Sequence, residues 1–173
     1  MKRFKWFLLL AGVGVLVLLD QVTKKLAEIF LWKQEDIPII KGVFELSYVE
    51  NRGAAFGMLQ DKRVLFLLLT AVAVAVLLWL FSRIPLKKRF LPLHLAVGFL
   101  VSGAVGNLID RAMNGYVIDF LYFKLIDFPV FNVADIYVTV SCGVLIVLLL
   151  FFYKEEDLQQ IFSGKKKRGK SFE

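Results

Sequence analysis

Four long stretches of the chain contain no Asp, Glu, Lys or Arg, and this feature constrains the fold most. They cover residues 6–19, 64–82, 90–109 and 136–153. A helix needs about 20 mostly apolar residues to cross a bilayer, where its backbone polar groups must all be satisfied internally. The composition agrees, since 58% of the 173 residues are hydrophobic and the mean hydropathy is +0.69. The pattern excludes a disordered or disulfide-rich secreted chain and indicates an integral membrane protein.

We predict one membrane domain over residues 1–173, of the all-α class, with a bundle of four transmembrane helices. The spans lie at about 6–30, 64–82, 90–110 and 134–153. The first apolar run also has the length of a signal-peptide core, but the residues after Asp20 offer no small-residue cleavage site. We therefore expect a helix that continues to about Phe30 and carries Asp20 and Lys24 into or near the bilayer.

Basic residues indicate the orientation of this bundle. They precede the first span, join the second to the third, and follow the fourth in a tail at 154–173. In segment 31–63, five basic and five acidic side chains cancel. By the positive-inside rule both termini face the cytoplasm, and segments 31–63 and 112–132 face outward. We interpret the net charge of +7 as a topology signal and a contact with membrane lipids, with no nucleic-acid partner.

The outer segment 31–63 does not have the pattern of a further span. Val43–Glu50 alternates imperfectly between apolar and polar residues, as a half-buried strand does. Asn51, Arg52 and Gly53 follow it and form a turn signal. We predict a small extracytoplasmic β cradle on the bundle, in which the small residues Gly53, Ala54 and Ala55 let the backbone lie near a site.

Four aspartates lie where a membrane protein usually avoids charge. Asp20 lies about 21 Å along the first span at 1.5 Å per residue, Asp110 ends the third span, and Asp135 opens the fourth. Asp119 lies between the last two, among apolar and aromatic residues. Ionisable groups in membrane helices are costly and are therefore functional candidates. We expect the four carboxylates to meet near the outer surface. The cationic and amide side chains expected beside these carboxylates are Lys24, Arg111, Asn51, Asn107 and Asn132.

Some of these side chains also have a structural explanation. Asp20 and Lys24 are four residues apart and share a helix face, which favours an intrahelical ion pair. Two structural roles are open for Asp110: it can pair with a cation, or it can stabilise the end of the helix. Asp119 and Asp135 have no cationic neighbour in sequence, so we favour a chemical role for them.

Small residues recur on the third span at Gly98, Ser102 and Gly106. Their spacing of four gives the helix one smooth face. Helix packing and substrate approach both use such a face, and the sequence does not choose between them.

Two carboxyl groups brought close in a partly dry site do not both ionise easily, so one keeps its proton. The carboxylate can then activate water while the carboxylic acid protonates the substrate. Such a pair supports peptide hydrolysis without a metal. The chain has one Cys and one His and no Gly-x-Ser-x-Gly sequence, so it offers no metal-ligand cluster and no rival nucleophile. We predict no cofactor and no metal.

Five short segments occur in the order that a known family shows. They are Asp20–Lys24, Asn51–Phe56, Gly103–Arg111, Val117–Phe120 and Phe131–Asp135. Together with the four spans they resemble the lipoprotein signal peptidases, or signal peptidase II, of bacteria. The resemblance implies an aspartic endopeptidase of the bacterial cell membrane with an outward-facing site. Its implied substrates are lipidated prolipoproteins, cleaved just before a cysteine that carries a diacylglyceryl group.

The resemblance also assigns roles to residues. It implies that Asp119 and Asp135 form the catalytic dyad. The residues implied to orient the substrate or shape the site are Asn51, Gly53, Asn107, Arg111, Asn132, Asp20, Lys24 and Asp110. We expect the chain to work as a monomer among membrane lipids.

Functions of other classes are also open to a chain of this kind. A small proton- or cation-coupled transporter uses intramembrane acids too, but it favours acids at mid-depth that face a pore. An inert membrane scaffold leaves the outer acids without a reason. The presenilin-type proteases also use two aspartates, yet their Gly-x-Gly-Asp pattern is missing from the chain.

Overall fold

The computed structural model describes residues 2–53 and 62–162. Residues 54–56 of the second family-like segment, and the basic tail beyond residue 162, lie outside this range. The described part contains the helices α1 Lys2–Leu31, α2 Arg63–Arg83, α3 Leu91–Met113, α4 Val133–Val147 and α5 Glu155–Phe162, and the strands β1 Ile37–Ile40, β2 Phe44–Asn51 and β3 Val117–Tyr122. A 3-10 turn at Lys88–Phe90 precedes α3, and a π-helical turn at Leu148–Phe152 extends α4.

Four of these helices are long and apolar enough to cross a membrane, namely α1, α2, α3 with its 3-10 turn, and α4 with its π-helical turn. Large apolar side chains such as Leu68, Leu10 and Leu150 lie on their outer surfaces. α2 buries only Phe81 among its residues, as expected for a helix that is apolar on every side and borders lipid. The predicted class, four spanning helices with a small sheet, is confirmed.

Helix α3 is the centre of the bundle, because it packs against α1, α2 and α4. Its small-residue face lies against α1. A β-carbon built on Gly98 would lie 3.6 Å from Leu9 Cδ1, and one on Gly106 would collide with the Asp20 carboxylate. Ser102 is fully buried and donates to the Gly98 carbonyl at 2.8 Å. Of the two uses of this face, helix packing is therefore the one that the structure shows.

The three strands form one antiparallel sheet in the order β1-β2-β3. It packs on the end of α1 through a buried cluster that contains Ala27, Leu31, Ile118 and Phe120. From the sequence only the segment that becomes β2 is predicted as a strand. β3 is missed because Val117–Tyr122 is buried along most of its length, so it shows no alternation of apolar and polar residues.

The first part of the predicted basic tail at 154–173 forms helix α5, Glu155–Phe162. Asp157 and Ile161 of α5 are buried. Arg89 donates two hydrogen bonds to the Asp157 carboxylate, from Nε at 2.9 Å and from Nη2 at 2.7 Å. The first turn of α5 is acidic, which suits a helix N-terminus. The high charge of the tail as a whole concealed this short amphipathic segment.

Candidate active site

All of the predicted site residues gather at one end of the bundle, which we call the site end. It is formed by the C-terminal halves of α1 and α3, the N-terminus of α4, and strands β2 and β3. Helices α1 and α3 run in the same direction, because Leu9 lies beside Gly98 and Asp20 beside Gly106, and the first turn of α4 lies beside Gly103 and Gly106 of α3. The polar residues late in α1 and α3 therefore meet the first turn of α4, as their predicted depths require.

Asp119 lies on β3 and is 2% exposed. Its two carboxyl oxygens accept hydrogen bonds from side-chain amides: Asn51 Nδ2 lies 2.9 Å from Oδ2, and Asn132 Nδ2 lies 2.6 Å from Oδ1. Burial raises the pKa of Asp119 to about 7, and the nearby Asp135 carboxylate adds to the rise. The amide donors act in the opposite direction. A proton is therefore available at Asp119 near neutral pH.

Asp135 occupies the first turn of α4 in a capping box with Asn132. Asn132 Oδ1 accepts from the Asp135 backbone N–H at 3.0 Å, and Asp135 Oδ2 accepts from the Asn132 backbone N–H at 3.1 Å. The second carboxyl oxygen of Asp135 accepts from Asn107 Nδ2 at 2.8 Å. Such reciprocal bonds hold a helix N-terminus in one conformation. Asn132, which is fully buried, thus contacts both aspartates.

The amide groups around the two aspartates are held in one orientation. Asn51 Oδ1 accepts from the Gly53 backbone N–H at 3.0 Å, so its NH₂ group is directed at Asp119. Asn107 Oδ1 accepts from Lys24 Nζ at 2.7 Å, so its NH₂ group is directed at Asp135. An amide has separate donor and acceptor ends, and each oxygen here is already engaged away from the carboxylates.

Lys24 is the centre of a buried ion cluster behind the aspartates. It is 2% exposed, and its Nζ lies 2.9 Å from Asp20 Oδ2 and 2.9 Å from Asp110 Oδ2. The predicted ion pair between Asp20 and Lys24 is confirmed, and Asp110 pairs with the same cation. Removing one member of a buried ion pair costs about 3–5 kcal/mol, because the other charge is left uncompensated. The cluster therefore fixes α1 against α3.

Asp20 and Asp110 of this cluster also accept hydrogen bonds from backbone N–H groups of other elements. Asp20 Oδ1 accepts from the Ala134 backbone N–H at 2.9 Å, which ties α1 to the first turn of α4. Asp110 Oδ2 accepts from the Ile118 backbone N–H at 3.3 Å, which ties α3 to β3. These two bonds place Asp135 and Asp119, one residue further along in each case, at the same level.

Gln21 belongs to the site and is absent from the predicted set. Its Nε2 lies 2.9 Å from Asp110 Oδ1, 3.2 Å from Asp20 Oδ2 and 3.2 Å from the Gly106 carbonyl. The available signal was its place inside the family-like segment Asp20–Lys24, since an uncharged amide draws no attention by charge.

Arg111 holds the loop after β2. Its Nη2 donates to the Gly53 carbonyl at 3.1 Å, and its guanidinium lies over the Phe66 ring with 4.8 Å from Cζ to the ring centroid. Arg111 therefore connects α3, α2 and the turn that carries Asn51. The structure brings Gly53 to the site through this bond.

A cavity of about 640 Å³ opens at the site end, and both Asp119 and Asp135 line it. The polar part of its wall also contains Glu50, Asn51, Arg52, Gly53 and Arg111, and the other lining residues are Val49, Val117, Phe128, Pro129, Val130, Phe131, Ile136, Thr139 and Val140. Ile136 and Val140 lie on the outer face of α4, so the apolar side of the cavity continues into the lipid-facing surface. Lys24, Asp20 and Asp110 lie behind this wall. Within residues 2–53 and 62–162 no group of three His, Cys, Asp or Glu side chains is placed to hold a metal.

The chain is similar to a known family over most of its length. A family model described as signal peptidase (SPase) II matches residues 13–152. The chain is 46% identical over 142 residues to a lipoprotein signal peptidase from Brevibacillus brevis, covering 82% of this chain and 93% of the relative. It is 48% identical over 138 residues to one from Symbiobacterium thermophilum, covering 79% of this chain and 90% of the relative.

Solved structures show the same fold. One bacterial membrane enzyme, solved in meso at 2.3 Å resolution, superposes with a TM-score of 0.74 at 29% identity and covers 93% of each chain. A second, solved in meso at 1.9 Å resolution, gives a TM-score of 0.72 at 30% identity, with 84% of this chain and 94% of that chain covered.

Proposed function

Because the chain belongs to the signal peptidase II family of peptidases, we propose that it is an aspartic endopeptidase that removes signal peptides from lipoprotein precursors. It cleaves the bond before a cysteine that carries a diacylglyceryl group. Asp119 and Asp135 form the catalytic dyad, and the other polar residues of the site hold the dyad and the substrate backbone.

One observation carries this proposal: Asn132 contacts both aspartates, and both line the same cavity. The charge of Asp135 acts on Asp119, and two carboxyl groups placed this near each other favour the state in which one of them keeps its proton. A purely structural pair of buried acids would have no need of a cavity beside it.

The chemistry follows from that arrangement. The carboxylate member takes a proton from a water molecule, whose oxygen then bonds to the carbonyl carbon of the scissile peptide. The carboxylic acid member donates its proton to the carbonyl oxygen, giving a neutral diol. The member that took the proton from water then donates it to the amide nitrogen, while the other member takes a proton from one diol hydroxyl. The C–N bond breaks, the signal peptide leaves with a new carboxyl group, and the lipidated cysteine becomes a new N-terminus. The dyad again holds one proton.

The lipid group of the substrate suits the position of the cavity. Acyl chains stay in the membrane leaflet, so the scissile bond lies at the membrane surface. The cavity wall combines the dyad with Ile136 and Val140 on the outer face of α4. A precursor can therefore approach from the lipid without leaving the bilayer. The proposed partners are lipidated prolipoproteins and membrane lipids.

We propose further that the site end faces outward from the bacterial cell membrane and that both termini face the cytoplasm. Exposed basic residues lie at the opposite end, namely Arg83, Lys87, Lys88, Arg89 and Lys154. Such residues stay on the cytoplasmic side during insertion. This orientation puts the sheet and the dyad at the surface where exported precursors arrive.

The proposed working unit is a monomer, with residues 1–173 as one domain. The dyad and its amide partners all come from one chain, through β2, β3, α3 and α4. The cavity wall is likewise built from that chain.

Cleavage of a lipidated precursor by the purified protein tests the proposed activity. We expect Asp119→Asn and Asp135→Asn each to lower kcat by about 10²–10⁴-fold while the protein still folds, because each removes one proton-transfer group. Asp36→Asn, at an exposed position between α1 and β1, is the matched control and should keep full activity. Undiminished turnover in either dyad variant would remove that residue from the mechanism. An unlipidated precursor should be a poor substrate, and equal rates for both forms would contradict recognition of the lipid.

Thiol labelling in intact cells tests the proposed orientation. In a Cys142→Ser background, Lys41→Cys places a thiol at the sheet and Lys88→Cys places one between α2 and α3. A membrane-impermeant maleimide should label the first in intact cells and the second only after the cells are broken. The reverse pattern would overturn the orientation.

A further inference from the structure

Asn107 lies between the buried cation and one member of the dyad. Lys24 Nζ donates to Asn107 Oδ1 at 2.7 Å, and Asn107 Nδ2 donates to Asp135 Oδ1 at 2.8 Å. Asn132 Nδ2 adds a second hydrogen bond to Asn107 Oδ1 at 3.2 Å. If the amide turned over, its NH₂ group would face an ammonium and its oxygen would face a carboxylate. Lys24 therefore determines which end of the Asn107 amide faces Asp135.

We propose, on the basis of the proposed function, that Lys24 is a positioning residue for catalysis. It holds the Asn107 N–H on Asp135, so that Asp135 carries the negative charge of the resting dyad and acts as the base, while Asp119 carries the proton and acts as the acid.

The surroundings of the two aspartates differ in the way this assignment requires. Asp135 is half-buried and lies in the first turn of α4, where a backbone N–H contacts its Oδ2 and the helix dipole favours an anion. Asp119 is 2% exposed on a strand, and its partners are the uncharged side-chain amides of Asn51 and Asn132. Burial disfavours the charged form most at the more enclosed position.

Charged groups reach the dyad from every element around it. They are Asp20 and Lys24 of α1, Asp110 and Arg111 of α3, and Glu50 and Arg52 at the cavity wall. Lys24 already contacts the carboxylates of Asp20 and Asp110. Its charge acts directly on both aspartates, whereas the N–H that it orients on Asn107 is donated to Asp135.

Two matched amide variants test which aspartate is charged. Activity requires the base ionised and the acid protonated. The fall in activity at low pH, which we call the acid limb, therefore reports the pKa of the base, and the fall at high pH, the basic limb, reports the pKa of the acid. Asn107→Leu removes a donor from Asp135 and should move the acid limb upward by about one to two pH units with the basic limb unchanged. Asn51→Leu removes a donor from Asp119 and should move only the basic limb upward. The opposite pairing of variants and limbs would overturn the assignment.

Lys24 variants test the positioning role. Lys24→Met should move the acid limb in the same direction as Asn107→Leu does, and Lys24→Arg should return it towards the wild-type position. Lys24→Met with Asn107→Leu should move it by less than the two single shifts added together. A lower melting temperature with both limbs unmoved would show a structural role only and overturn the inference. If Lys24→Met does not fold, Lys24→Met with Asp110→Asn removes one charge of each sign and is read in the same way. An unmoved profile with intact cleavage leaves the proposed peptidase standing, whereas a wild-type protein that cleaves no precursor at any pH overturns both.

Discussion

Glycine is required at two positions of α3 because other parts of the chain occupy the space of a β-carbon. At Gly106 that space is filled by the Asp20 carboxylate, and at Gly103 by the Ala134 backbone carbonyl and by Val138 Cγ2. Gly106 thus lets the buried ion cluster approach α3, and Gly103 lets the first turn of α4 do so. Both close approaches lie beside the first turn of α4, which carries Asp135 of the proposed dyad.

We expect Gly103→Ala and Gly106→Ala to destabilise the protein by about 1–3 kcal/mol, because overpacking forces backbone or buried charge to move. Gly143→Ala in α4 is the control, since nothing lies within 4 Å of its β-carbon, and it should stabilise the helix by up to about 1 kcal/mol. Thermal unfolding in detergent measures all three. Equal melting temperatures for the three variants would contradict the close packing.

The pH dependence of activity is a second prediction at the scale of a residue. Burial and the Asp135 charge raise the pKa of Asp119 to about 7, so its acid form is present below that pH and is lost above it. Cleavage should therefore decline as the pH rises through about 7, although the measured midpoint belongs to the coupled pair. Rates at saturating lipidated precursor, with a parallel check that the fold persists, measure this. Activity still rising at pH 9 would show that no such acid is needed.

At the scale of elements, Lys5 connects the start of α1 to the end of α2. It is 6% exposed, and its Nζ donates to the Ile84 carbonyl at 2.8 Å and to the Phe81 carbonyl. The same ammonium lies 4.4 Å from the centroid of the Phe81 ring. A cation at a helix C-terminus satisfies carbonyls that have no partner within the helix.

Lys5→Met should lower the free energy of unfolding by about 1–3 kcal/mol, since buried carbonyls lose their donor while the apolar stem still packs. The matched control is Lys25→Met on the same helix. Lys25 pairs with Glu28 at 2.8 Å but is 66% exposed, and such pairs contribute at most about 1 kcal/mol. Chemical denaturation in mixed micelles compares the two variants. A larger loss from Lys25→Met would argue against the cap.

Strand β3 and helix α5 show why sequence patterns predict only part of this fold. The uncharged runs predict the spanning helices because a bilayer imposes a length that few other structures need. β3 and α5 are too short for such a signal, and both are stabilised by contacts distant in sequence. β3 pairs with β2 through residues such as Val49, opposite Asp119, and α5 depends on Arg89.

At the scale of the whole molecule, the two ends of the bundle have separate tasks. The site end holds the ion cluster, the proposed dyad and the cavity. The opposite end is closed by α5, whose Ile161 is 3% exposed and packs into the larger apolar cluster with Phe90 and Tyr153. Helix α5 also lies beyond the part of the chain that the family model matches, residues 13–152. Its contacts through Ile161 and Asp157 stabilise this end of the bundle.

Asp157→Asn should weaken the Arg89 interaction and lower the melting temperature, while cleavage per folded molecule stays at the wild-type rate. The Arg89 guanidinium holds the pKa of the Asp157 carboxyl below its usual value, so the carboxylate is charged at neutral pH and its loss removes a charge-assisted pair. Gln159→Ala, at an exposed position of α5, is the control and should change neither quantity. If cleavage per folded molecule fell together with the melting temperature, the two ends of the bundle would be coupled.

The sequence by itself determined that the chain crosses the membrane and that its acids collect at one end. Both follow from local quantities, namely the length of an apolar run and the rise of a helix per residue. The tertiary structure alone decided which donor contacts which carboxylate. It placed Gln21 in the ion cluster, directed Asn107 at Asp135, and made Asn132 common to both aspartates. Hydrogen bonds of 2.6–3.2 Å depend on the relative rotation and register of distant elements, which only the packing of the complete bundle sets.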